Sequence, residues 1–194
     1  NYRRFAAALA LASLVAGPAG AQPSPPLRIV VPYAAGGIGD LVARTLAEPV
    51  GARLGQSVVV ENKPGSATVV GAQAVATAPA DGNTVLFGTS GPLAINVSLY
   101  RKPGYDPIKS FAPVIQIGHL PNVLVVAPNR GWKTVGDLVA EAKAKPGKLN
   151  YASAGVGAAT HLNAEKFKMQ AVFDAVHVPY KGTPEAITDV IGGR

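Results

Sequence analysis

The sequence predicts an α/β protein of two lobes, and three observations carry that reading. Strand-like apolar runs alternate with helix-periodic stretches through the first half, the pattern of a parallel sheet built as β-α-β-α-β. After a loop-rich passage the second half resumes the same alternation. In each half one strand runs directly into a glycine-rich turn that opens a helix: "IVVPYAAGGIGD" at 29–40 and "YASAGVGAATHL" at 151–162.

Taken in order, residues 1–21 read as a secretory signal peptide. Arg3 and Arg4 precede an apolar stretch from Phe5 to Val15, and the small-residue site Ala19-Gly20-Ala21 places cleavage after Ala21. That stretch is shorter than the about 20 residues a bilayer span requires, so an exported, soluble mature chain is expected. The chain opens at Asn1 and not at Met, so a fragment is expected. Lobe 1 is assigned to 22–100 and lobe 2 to 101–194.

In lobe 1, Leu27–Pro32 has the continuous apolar character of a strand buried on both faces. Leu41, Val42, Thr45, Leu46 and Val50 recur at helical spacing between Gly39 and Leu54, with Asp40 in the first turn, where the helix dipole favours an acid. "VVVEN" (58–62) is a second strand, Val69 to Ala78 a helix of small residues, "ADGN" (80–83) a turn and "TVLFG" (84–88) a third strand. Pro103 and Pro107 bracket a turn before "VIQIG" (114–118), in the passage to lobe 2. There "NVLVVAP" (122–128) is predicted as a strand, and Thr134 with Asp137 forms a capping box for "VGDLVAEAKAK". "LNYAS" (149–153) and "AVHVPY" (175–180) are strands, with a helix from Ala159 to Gln170 between them. Thr183 is placed at an N-cap with Pro184 at the first helical position.

Composition removes several function classes. With no cysteine in 194 residues there is no disulfide, thiolate metal site or thiol nucleophile. The formal charge is +7, or +5 without the two arginines of the signal, and the basic residues are scattered. Such a surplus mildly favours anionic ligands and does not single out nucleic acid. His119, His161 and His177 lack the spacing of a helical metal pair; His177 reads as structural, and His161 either faces a cleft or caps its turn. Ser90 in "GTSGP" is no nucleophile elbow, and Asn96-Val97-Ser98 reads as a chance sequon. Catalytic residues, metal and cofactor are therefore all expected to be absent.

A nucleotide loop is the first alternative for "PYAAGGIGD". Glu61 lies where a ribose-binding acid would fall, but Val42 stands where the third glycine of a dinucleotide fingerprint belongs, and no Lys-Ser or Lys-Thr follows. The two glycine-rich turns instead share one physical design. Each presents first-turn N–H groups that lack intrahelical partners, and one such terminus per lobe suggests a cleft that grips a single anionic ligand from both sides. A helix terminus supplies only about 0.3–1 kcal/mol; hydrogen bonds to a charged group, at about 1.5–3 kcal/mol each, must supply the larger share.

"VPYAAGGIGDLVAR", "VVVENKPG", "APADGNTVLFGTSGPLAINVSLY", "YDPIKSFAPV", "KPGKLNYASAGVGAATHLNAEKFK" and "VHVPYKGTPEAITDVIGG" resemble, in order, the running motifs of the Bug family of extracytoplasmic solute receptors, which are similar to the binding component of tripartite tricarboxylate transporters. The resemblance implies a periplasmic, type II-like binding protein: two α/β lobes around a cleft that closes on a small carboxylate without performing chemistry. It implies membrane permease subunits as partners and a monomeric receptor. A ligand-sensing receptor for a signalling partner is the alternative role.

Carried onto this chain, the resemblance places the ligand loops at Tyr33 to Asp40, with Ala35, Gly36 and Gly37 between, and at Ser153 to Thr160, with Gly155, Gly157 and Ala158 between. Backbone amides and ordered water are implied as the carboxylate's partners. Thr89 and Ser90 match the loop after the third strand, and Tyr180-Lys181-Gly182 a loop at the cleft rim. Asp40 is expected to cap or orient its helix, since two like charges in contact repel. The chain departs from the family pattern at Ile38, at "GSATVVG" (65–71), which replaces a glycine-rich run, and at Val156 and Ala158. Family chains continue past the "IGG" at 191–193, so lobe 2 is expected to be a C-terminally truncated fragment.

Overall fold

The computed structural model describes residues 24–193; the expected signal peptide lies outside them. Lobe 1 is built on β1 (Leu27–Val31), β2 (Val58–Asn62) and β3 (Thr84–Leu86), all parallel in the order β2-β1-β3. In register, Ile29 pairs with Val60 on one side and with Val85 on the other. The central position explains the unbroken apolar run of β1: Val30 and Val31 are fully buried, and of the five residues only Arg28 is exposed.

Helix α1 (Ile38–Leu54) covers this sheet through Ala43, which joins Ile29, Val31 and Phe87 in the core. Helix α2 (Val69–Ala76) is short and approaches the end of β1 closely: a Cβ added at Gly71 would lie 2.7 Å from Cβ of Pro32. The three residues before it, Ser66 to Thr68, all have positive φ (42°, 52° and 78°) although none is glycine. A π-helical turn at Gly91–Ile95 leads into the single-turn helix α3 (Asn96–Leu99).

Lobe 2 contains α4 (Val135–Ala144), β4 (Asn150–Ser153), α5 (Ala159–Ala171), β5 (Val176–Pro179) and α6 (Thr183–Ile191). Strands β4 and β5 pair in parallel, with Tyr151 opposite His177. The core joins Ala142 of α4 to Leu149 and Ala175, flanked by Trp132, Tyr151 and Phe173. The capping box forms as its spacing indicated. Thr134 Oγ1 accepts from the N–H of Asp137, and the Asp137 carboxylate accepts from the N–H of Thr134.

Two expectations are corrected. Residues 122–128 form no strand: a strand needs a ladder partner, and none pairs with them among the described residues. Val123, Leu124 and Val125 are exposed there, so β-propensity without a neighbouring strand does not suffice. The N-cap of α6 is Gly182 and not Thr183, which is already helical, so Pro184 falls at the second helical position. The Glu185 carboxylate accepts from the N–H of Lys181 (3.2 Å) and helps hold this entry turn.

Candidate functional site

Both sheets are parallel, so the loops after β1, β3, β4 and β5 all leave from the carboxyl ends of strands, where open α/β sheets place their ligands. Loop 33–37 turns through Gly36 (φ 79°) into α1. The carboxylate of Asp40, only 5% exposed, accepts from the N–H of Gly36 (2.9 Å) and from Arg44 Nε (2.9 Å). The Arg44 guanidinium is the main cause that holds this carboxyl below its ordinary range, against the opposing effect of burial. Asp40 is thereby fully engaged in closing the loop onto its own helix. The N–H groups of Gly37, Ile38, Gly39 and Asp40 have no protein acceptor among the described residues.

Tyr33 is fixed from both ends. Its hydroxyl and Thr89 Oγ1 are 2.8 Å apart, and its carbonyl accepts from Asn62 Nδ2 (3.2 Å). Burial raises the phenol above its ordinary pKa, which the Thr89 contact partly offsets, so Tyr33 is neutral at physiological pH. Ala35 and Ser90 are exposed; Ser90 precedes the π-helical turn and its hydroxyl has no protein partner among the described residues.

The loop after β4 spends its own donors. The N–H of Ala154 donates to Thr160 Oγ1 (3.0 Å), that of Gly155 to Ser153 Oγ (3.1 Å), that of Gly157 to His161 Nδ1 (3.2 Å) and that of Ala158 to the Gly155 carbonyl (3.1 Å). Gly155 and Gly157 thus serve the loop's shape, with φ of 117° and 83°. The donors left over are the N–H groups of Val156 and of Ala159, Thr160 and His161 in the first turn of α5, which find no protein acceptor among the described residues. Tyr180 closes the neighbouring loop: its N–H donates to the Ser153 carbonyl (3.0 Å) and its hydroxyl to Asp189 (2.6 Å).

The two lobes meet at these loops. A Cβ on Gly182 would lie 3.0 Å from Cβ of Ala34, and one on Gly37 would lie 3.7 Å from Pro184 Cδ. A Cβ on Gly157 would reach Leu99 Cδ1 at 2.8 Å and Asn96 Oδ1 at 3.0 Å, while Gly91 lies against the Gly157 carbonyl. Tyr33, Thr89, Ser153, Gly155, Gly157, Ala158, Thr160 and Tyr180 therefore belong to one region, with the N-termini of α1 and α5 as its unpaired donors. Cavities of about 480 and 600 Å³ are lined by residues such as Met169 and Phe173 of lobe 2, and Arg44 and Glu48 of lobe 1.

Two contributors escape sequence reasoning. Asn96 is fully buried, and its Nδ2 donates to the Ala67 carbonyl (2.8 Å) and Thr68 Oγ1 (3.2 Å), holding the left-handed stretch before α2. Because both partners accept there, the amide orientation is fixed and Oδ1 faces the Gly157 loop, with no hydrogen-bond partner among the described residues. His177 is the other: its Nε2 lies 2.6 Å from Ser153 Oγ, and its ring packs near-parallel to those of Tyr151 (4.9 Å) and His161 (4.2 Å). Neither role leaves a local signal, since Asn96 acts across 28 or 29 residues and His177 across 24. No group of three or more metal-ligating side chains occurs among the described residues, nor does any helix there have the length and apolarity to cross a membrane.

Two α/β lobes that bring helix N-termini together at one seam have the arrangement of a periplasmic-binding-protein fold, which solved relatives share. The chain belongs to the tripartite tricarboxylate transporter family receptor (TctC) family, whose model matches residues 42–194. It is 37% identical over 196 residues to the UPF0065 protein in the tcbD-tcbE intergenic region of Pseudomonas sp. (strain P51), and 36% identical over 182 residues to Protein BugT of Bordetella pertussis. These alignments take in 99% and 92% of this chain but 58% and 56% of the relatives. A Rhodopseudomonas palustris protein solved with adipate superposes with a TM-score of 0.85 at 38% identity, over 89% of this chain and 57% of that one. MatC from Rhodopseudomonas palustris with bound malate gives 0.82 at 30% identity, over 89% and 58%.

Proposed function

We propose that this chain is the ligand-gripping part of a periplasmic solute receptor that captures a small dicarboxylate or related acid and delivers it to the membrane permease subunits of a tripartite tricarboxylate-type transporter. One observation carries the reading: the N-termini of α1 and α5, on opposite lobes, keep first-turn N–H groups without protein acceptors where the lobes touch. Two such ends suit an anion with two carboxylates. Each charged hydrogen bond contributes about 1.5–3 kcal/mol, so a few per carboxylate suffice for tight capture. The family membership and the adipate and malate seen with two structural relatives support the same class of ligand. The tyrosine–threonine pair and the loop backbone act as neutral walls.

The test is a thermal-shift and calorimetric screen of adipate, malate, citrate and glutamate against the matching monocarboxylates and diamines. A ligand at about 100 times its Kd adds about 2.7 kcal/mol to native stability, a shift that such a scan resolves. Stabilisation by at least one di- or tricarboxylic acid and none by diamines is expected. No response to any acid at millimolar concentration would overturn the reading.

A further inference from the structure

Beneath the second loop lies a ring cluster that the capture of an anion does not by itself require. The His161 and His177 rings are 4.2 Å apart and 22° from parallel, and the Tyr151 ring lies 4.9 Å from that of His177 and 6.5 Å from that of His161. Both imidazoles are wired to the loop. His161 Nδ1 accepts directly from the N–H of Gly157, and His177 Nε2 meets Ser153 Oγ, which in turn accepts from the N–H of Gly155. We propose that His161, backed by His177, is the positioning residue of the ligand loop: its unprotonated Nδ1 holds Gly157 in place, so that a proton at this nitrogen unlocks the loop.

The chemistry follows from the donor count. A ring nitrogen that accepts from a backbone N–H cannot carry a proton, so the bond to Gly157 fixes neutral His161 as the tautomer with its proton on Nε2. Adding a proton at Nδ1 sets two donors against each other, and the Gly157 N–H must turn away. His177 behaves differently: the Ser153 hydroxyl can donate to a neutral Nε2, or accept from a protonated one while donating to the Gly155 carbonyl, 3.2 Å away. Loss of the lock is therefore specific to His161, and the stack transmits it because two imidazolium rings at 4.2 Å repel. The other groups that face the pair are Tyr151 on β4 and Glu165 and Lys168 on α5. The Tyr151 hydroxyl donates to Glu165, Lys168 Nζ pairs with that carboxylate at 3.0 Å, and the ammonium lies 5.3 Å from the centre of the Tyr151 ring. Glu165 favours a proton on His177, and the Lys168 ammonium beside it opposes one. Burial and the neighbouring His161 charge both hold the His177 pKa below its ordinary value.

The experiment separates the lock from the ligand, because the proposal rests on the binding site assigned under the proposed function. In 15N-labelled protein without ligand, the Gly157 amide resonance and its exchange protection are followed from pH 8 to pH 5, beside the ring signals of His161. The Gly157 shift is expected to follow the His161 titration, with protection lost at the acidic end. His161→Asn places an acceptor oxygen near the Nδ1 position and cannot titrate; it should keep the protection and abolish its pH dependence. His161→Phe keeps a stacking ring without an acceptor and should lose the protection throughout. Adipate affinity, measured alongside at pH 8, should fall about 2- to 13-fold in the Phe variant, the worth of one neutral hydrogen bond, and little in the Asn variant. A Gly157 amide that ignores the His161 titration, or equal protection in the Asn and Phe variants, overturns the proposal. A working lock in a protein that binds no acid leaves the lock standing and refutes the dicarboxylate reading instead.

Discussion

Replacing Gly157 by alanine should separate folding from closure. The three atoms nearest to a Cβ at this position, on Leu99, Asn96 and Ala67, all belong to lobe 1, whereas the glycine belongs to lobe 2. Contacts of 2.8 and 3.0 Å are overpacked, and forcing extra atoms into a packed contact costs about 1–3 kcal/mol. Because the crowded contact joins one lobe to the other, the dicarboxylate Kd is expected to rise about 5- to 160-fold. The φ of 83° adds a second cost of about 1–2 kcal/mol for a residue with a Cβ, but it is present in open and closed forms alike and belongs to stability. Gly37→Ala is the matched control: its φ of −78° is ordinary, and its added Cβ would meet nothing nearer than 3.5 Å. Calorimetry for affinity and urea denaturation for stability give the two readouts. If Gly157→Ala binds adipate as tightly as the parent while Gly37→Ala does not, the argument that Gly157 is the closure contact is wrong.

Asp40→Asn should destabilise the protein by about 1–3 kcal/mol at pH 7, the worth of hydrogen bonds to a charged group. Because the folded pKa of Asp40 is depressed, its contribution is present above the unfolded value of about 3.9 and is lost as pH falls through the folded one; parent and variant should converge in acid by chemical denaturation. The folded pKa of His177 is also lowered, so its contribution is present above the unfolded imidazole value of about 6.5 and declines as pH falls below it. His177→Gln should flatten that part of the stability profile between pH 7 and 5. Gly71→Ala should cost about 1–3 kcal/mol by denaturation, since its Cβ would press on Pro32 at 2.7 Å. Removing the cap with Thr134→Ala should cost about 1 kcal/mol in the same assay and leave adipate affinity unchanged.

The features legible in the sequence are those fixed by short-range chemistry. A strand paired on both sides must be apolar at consecutive positions, and Ile29–Val31 shows it. The Thr134–Asp137 box closes within four residues, and the glycine-rich turns announce strand-to-helix corners wherever they stand. The direction of the N–H groups inside those turns is not legible. Whether Gly157 offers its proton to a ligand or to His161 depends on a loop conformation that no spacing encodes. The ring stack became visible only through the β4–β5 register, which sets Tyr151 beside His177. Residues 122–128 mislead for a related reason, because their composition favours a strand while pairing depends on a partner elsewhere in space.

The shared polarity of the strands has a consequence for where the sequence can change. Cohesion resides in residues on one side of the ledger, such as Val30, Ala43, Ala142 and Leu149, whose identity is dictated by packing. The corners that leave the strand ends carry fewer packing demands: Ile38, at the start of α1, is 51% and Val156 42% exposed, and each can be exchanged without disturbing a ladder. Mutation can therefore vary these corners while the scaffold stays constant, with Gly157 and Gly71 among the positions where an added Cβ has no room. A fold built this way can change its corners and keep its walls.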